Sequence, residues 1–127
     1  MARILVIDDD PAVCATIEVV LSKAGHAVTT VKDGSAGIRA CQPGAFDLVM
    51  VDLFMPGTEG LETIRTLRAR APQMRMLAMS GYMARQDQPS PDYLSMANKL
   101  GATSTLAKPF RPQQLLRAVE TCLDRPA

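Results

Sequence analysis

"ILVIDDDP", Ile4 to Pro11, runs four aliphatic residues straight into three carboxylates. The apolar part wants to be buried and the acidic part wants water. A strand that ends where the core ends meets both demands. The same pattern recurs along the chain. "FDLVMVD" ends in Asp52, "MLAMS" in Ser80 and "STLAK" in Lys108. Five short apolar runs can be read as strands: Ile4–Ile7, Ala27–Val31, Leu48–Val51, Met76–Met79 and Ser104–Ala107. Most show little alternation, as strands buried on both faces do. "AVTTV", Ala27–Val31, is more polar and suits a sheet edge.

Helical patterns separate these runs. Val13, Ile17, Val20, Leu21 and Ala24 fall at helical spacing, with Asp10 as cap, Pro11 at the first position and Gly25 to end the helix. A short helix is expected around Ser35–Cys41. A third follows Gly60, with Leu61, Ile64 and Leu67 inward. A fourth is expected near Asp92–Leu100. In a fifth, Leu115, Leu116, Val119, Cys122 and Leu123 share a face, and Pro112 lies near its start. Strands separated by helices pair in parallel through right-handed crossovers. The expected fold class is therefore α/β: an open doubly wound (βα)5 sheet with helices on both faces.

The chain has 127 residues and is expected to form one domain, 1–127; 47% of it is hydrophobic and 21% charged. Its formal charge of +1 and scattered basic residues give no field to attract nucleic acid. No apolar run is long enough to span a bilayer, and no signal-peptide pattern is present. The three cysteines, Cys14, Cys41 and Cys122, match neither a metal spacing nor a disulfide framework. Cys14 and Cys122 fall in apolar helical patterns and read as core residues. A reducing, cytoplasmic location is expected.

In a parallel sheet the strand C-termini share one rim, which is where open α/β sheets bind ligands. Asp8, Asp9 and Asp52 are expected to converge there, at the lip and outside the core. Carboxylates that close repel unless a cation intervenes. An oxygen-only donor set suits Mg²⁺, with Mn²⁺ an alternative. The metal and Lys108 could neutralise a phosphoryl group, Ser80 could bond one of its oxygens, and one carboxylate could be the nucleophile.

The stretches "ILVIDDDP", "FDLVMVDLFMPGTEG", "MLAMSG" and "GATSTLAKPF" resemble the receiver domain of bacterial two-component response regulators, over almost the whole chain. The resemblance implies the flavodoxin-like, CheY-like strand order 2-1-3-4-5. It implies that Asp52 accepts phosphate from a histidine kinase or a histidine phosphotransfer protein. It assigns Asp8 and Asp9 to Mg²⁺, with Asp52 and the backbone carbonyl of Phe54 as further ligands. Ser80 matches the switch hydroxyl and Lys108 the lysine that contacts the phosphoryl oxygens. The Lys108–Pro109 bond is expected to be cis. With no effector domain expected after Leu123, output is expected through an unknown downstream protein, or the chain is expected to be a relay intermediate or phosphate sink; no nucleic-acid or membrane partner is expected.

This sequence also departs from the family pattern. Thr105 stands where receivers usually carry Tyr or Phe, so the usual coupling of a hydroxyl to a turning ring cannot operate in that form. The stretch "GYMARQDQPSPDY" is long and polar for its place and is expected to reshape the neighbouring partner-binding face. Phe54, two residues after the acceptor, is large enough to exclude water and implies slow loss of phosphate. His26 reads as the beginning of the second strand, beside a turn, Met50, Met76 and Met79 as strand filling, and Met55 and Met83 as rim residues available to a partner. Two alternatives stay open. One is a pseudo-receiver that binds partners without phosphate, which Thr105 favours. The other is a Mg²⁺-dependent aspartyl-phosphate phosphohydrolase, against which Phe54 argues by occupying the place of a second Asp.

Overall fold

A computed structural model of the chain describes residues 1–53, 59–80 and 101–124. Five strands form one parallel sheet: β1 Arg3–Ile7, β2 Ala27–Val31, β3 Leu48–Asp52, β4 Arg75–Ser80 and β5 Ser104–Ala107. Their order is β2-β1-β3-β4-β5. The polar run "AVTTV" does lie at an edge, where Thr29 and Thr30 are exposed. The described helices are α1 Pro11–Lys23, α2 Gly34–Ala40, α3 Glu59–Arg70 and α4 Pro112–Asp124. The stretch Asp92–Leu100, expected as a helix, lies outside the described residues, as do Phe54, Met55, Tyr82 and Met83.

Side chains alternate across each strand, and this alternation builds two cores. Leu5, Ile7, Val49, Val51, Met76 and Ala78 face α2 and α3, where Leu61, Ile64 and Leu67 meet them. Ile4, Val6, Leu48, Met50, Leu77 and Met79 face α1 and α4, against Ile17, Leu21, Leu115, Val119 and Cys122. Each of the central strands β1, β3 and β4 thus feeds both layers, which is why its run carries no polar alternation. Met50, Met76 and Met79 are fully buried.

Local chemistry sets the helix ends. Asp10 accepts the Ala12 N–H at 2.9 Å and Pro11 opens α1. Gly25, at φ +94°, turns the chain out of α1 where a side chain would be strained. Asp33 accepts the Ala36 N–H at 2.7 Å and caps α2, which starts one residue earlier than expected. Ala24 is the exposed C-cap of α1 rather than an inward residue. His26 has a structural partner: its Nδ1 accepts the Ala2 N–H at 3.1 Å, tying the N-terminus beside β2. No described helix is long and apolar enough to cross a membrane.

Candidate functional site

The strand register assembles the site. Ile7 of β1 pairs with Val51 of β3, so the next residues, Asp8 and Asp52, sit side by side at the rim. Asp52 pairs with Met79 in β4, and Ser80 pairs with Ala107 in β5, one residue before Lys108. Four segments far apart in sequence thereby deliver their polar ends to one place. Of Ser80 the backbone is described, as the last residue of β4.

Oxygens of Asp8, Asp9 and Asp52 lie within 4.8 Å of one another. Their environments differ sharply. Asp8 is 1% and Asp52 3% exposed, whereas Asp9 is open to solvent. The expectation that all three stand outside the core is corrected here: two of them are buried. Burial is tolerable because Lys108 reaches both. Its Nζ lies 2.6 Å from Asp8 Oδ2 and 3.5 Å from Asp52 Oδ1. The other Asp8 oxygen accepts the Asp10 N–H at 3.0 Å, and the Asp8 N–H donates to the Val31 carbonyl at 3.1 Å. Asp8 is therefore fixed at both ends. The Lys108–Pro109 peptide bond is cis, as expected.

The Lys108 ammonium lies against Asp8 and Asp52, and Asp9 stands beside them. Two like charges about 4 Å apart repel by about 4 kcal/mol at an effective dielectric near 20. The donor set, oxygen only and anionic, fits a hard divalent cation. A cleft of about 240 Å³ opens against Asp8 and Asp9 and is also lined by Cys14, Glu18, Thr30 and Lys32. Of the three carboxylates it is Asp9 that stands open to solvent there.

Cys14 is half-buried and packs against the core that holds Ile17 and Leu21; Cys122 is buried in it as expected. The Cys14 thiol donates to the Asp8 carbonyl at 3.3 Å. Burial, followed by the negative charge of Asp8, holds this thiol above the usual cysteine range, with Lys108 opposing. A raised value means less thiolate at any given pH. Alkylation of Cys14 by iodoacetamide is therefore expected to be slower at pH 8 in the folded chain than in urea, and to climb only at higher pH. Peptide mass mapping after timed labelling checks this.

The comparisons with known proteins agree with the geometry. The family model for the response regulator receiver domain matches residues 4–120. The chain belongs to that family. Receiver-containing relatives include the transcriptional regulatory protein FixJ of Azorhizobium caulinodans, 36% identical over 122 residues, covering 96% of this chain and 55% of that protein. Another is the DNA-binding response regulator MtrA of Mycolicibacterium smegmatis, 31% identical over 125 residues, covering 97% of this chain and 51% of that protein. The receiver thus spans about half the length of these curated relatives. Among solved structures, a response regulator receiver domain protein from Clostridium thermocellum superposes with a TM-score of 0.86 at 29% identity, covering 98% of this chain and 96% of that one. The chemotaxis protein CheY4 of Vibrio cholerae superposes with a TM-score of 0.84 at 27% identity, covering 96% of this chain and 98% of that one.

The sequence reading missed two features of this receiver: the direct ion pair between Lys108 and Asp8, and the inequality of Asp8 and Asp9. Neither leaves a trace in local patterning. The pair joins residues 100 positions apart. Thr105 is half-buried in β5 opposite Ala78.

Proposed function

We propose that this receiver, residues 1–127 as one domain, is a phosphorylation switch with Asp52 as the acceptor. The convergence of Asp8, Asp9 and Asp52 under Lys108 carries this reading. A carboxylate oxygen of Asp52 would attack the phosphorus of a phosphohistidine on a kinase or phosphotransfer protein. The oxygen–phosphorus bond forms as the phosphorus–nitrogen bond breaks, and the imidazole keeps the electron pair and takes a proton from solvent. Asp8, Asp9, Asp52 and the Phe54 carbonyl would hold Mg²⁺, which would supply positive charge to the phosphoryl oxygens. Lys108, already 3.5 Å from Asp52, would move its ammonium from the carboxylates onto the new phosphoryl group. Ser80 ends the neighbouring strand and would donate its hydroxyl to the same group. The freed Asp8 contact would then bias the surface on which a protein partner binds. The free cysteines among the described residues suit a cytoplasmic setting.

The test is uptake of phosphate from acetyl phosphate with Mg²⁺, read as intact mass. The parent chain is expected to gain one phosphoryl group and Asp52→Asn none, with none in EDTA. Equal gain by Asp52→Asn contradicts the assignment. Absence of uptake from both acetyl phosphate and a phosphotransfer protein, together with no Mg²⁺ binding, leaves the phosphate-independent module instead.

A further inference from the structure

The glycine at the start of α3 has an environment that its helix does not explain. A glycine costs helix stability relative to alanine, so its presence inside the first turn asks for a reason. Gly60 is buried against the end of β3. A β-carbon there would strike the Asp52 carbonyl oxygen, lie 2.7 Å from Leu53 Cα and lie 3.2 Å from the Asp52 carbonyl carbon. All three are backbone atoms, which cannot swing aside as a side-chain tip can. Gly37 offers a contrast: a β-carbon there would meet side-chain atoms of Ile7.

Neither partner of the Gly60 contact is free to retreat. β3 is paired with β1 on one side and β4 on the other, and the Leu53 N–H donates to the Met79 carbonyl at 2.8 Å. The strand end cannot shift without carrying Asp52. On the helix side, Leu61, Ile64 and Leu67 are packed into the same core as Val49, Val51 and Leu53. The helix cannot lift without opening that core.

We propose that Gly60 is a positioning residue for Asp52. Its bare backbone lets the first turn of α3 seat directly on the Asp52 carbonyl. That contact sets where the Asp52 carboxylate stands relative to Asp8 and Lys108. The inference rests on Asp52 being the phosphoacceptor. It implies that a single added methyl, which meets backbone atoms and no proposed ligating oxygen, disturbs phosphoryl transfer. Displacement of a reacting group by about 1 Å can slow a reaction by about a hundredfold.

The experiment compares the parent, Gly60→Ala and Ile64→Val, all as the full chain with Mg²⁺ and saturating acetyl phosphate. Phosphorylation is followed by intact mass, and the folded fraction by urea denaturation. Ile64→Val removes one methyl from the same helix face a turn away and serves as the structural comparison. Gly60→Ala is expected to slow phosphorylation per folded molecule by ten- to a hundredfold, with Ile64→Val at the parent rate. The proposal is overturned if Gly60→Ala keeps the parent rate, or if both variants slow alike. Should Gly60→Ala not fold in buffer, the comparison is repeated in trimethylamine N-oxide, which strengthens burial. A chain still unfolded there makes Gly60 a purely structural residue and overturns the proposal. A parent chain that takes up no phosphate at Asp52 from acetyl phosphate or from a phosphotransfer protein, and binds no Mg²⁺, refutes the phosphorylation reading itself, a result separate from any difference between the variants.

Discussion

Lys108→Met is expected to lower stability by about 3 kcal/mol in EDTA and to recover most of that loss in Mg²⁺. Removing one partner of a buried ion pair costs about 3–5 kcal/mol, because the remaining charge is left uncompensated. The Lys108 side chain is 15% exposed while that of Asp8 is fully buried, so the lower end of that range applies. Methionine keeps the length and apolar character of the stem and removes only the ammonium. The carboxylates of Asp8, Asp9 and Asp52 would then face one another without the Lys108 ammonium against them. A bound divalent ion would supply what the ammonium supplied. Urea midpoints in EDTA and in Mg²⁺ read both effects. An equal loss under the two conditions would show that Lys108 acts through packing rather than charge.

Mg²⁺ at about a hundred times its dissociation constant is expected to stabilise the parent by about 2.7 kcal/mol, by binding the folded state alone. For a chain of this size that is about 10 °C in Tm. Asp8→Asn is expected to abolish the increment. The amide can still accept the Asp10 N–H that Asp8 accepts at 3.0 Å, so the loop after β1 keeps its anchor. What disappears is one of two buried negative charges and the pairing of Lys108 at 2.6 Å. Thermal melts of parent and variant, each with and without Mg²⁺, separate the outcomes. A full Mg²⁺ increment in Asp8→Asn would remove Asp8 from the ligand set.

Much of this fold could be read from local patterning. The buried strands showed themselves as unbroken apolar runs, and β2 as the polar one that belongs at an edge. Ile17, Leu21, Leu115, Val119 and Cys122 fall on one face of their helices at helical spacing, and all are buried. Such signals depend only on the period within an element. The rim site was legible for a related reason: parallel strands must end on the same side. Contacts between elements were not legible. Nothing in "IDDDP" separates Asp8 from Asp9; the difference comes from Lys108 arriving from β5 and Asp10 turning back its N–H. Cys14 sits at an inward helical spacing, yet it stands at the mouth of the cleft, where α1 meets the loop after β1. Gly60 looked like a helix boundary, and only the depth at which α3 seats on β3 gives it another meaning.

The most direct measurement locates the phosphate chemically. The Mg²⁺- and acetyl phosphate-treated chain is reduced with borohydride, which converts an acyl phosphate of aspartate to homoserine, and the peptides are sequenced by mass. Homoserine is expected at position 52, with Asp8 and Asp9 unchanged. Homoserine at 8 or 9, with Asp52 intact, would contradict the account, because the acceptor would then be one of the carboxylates assigned to the metal.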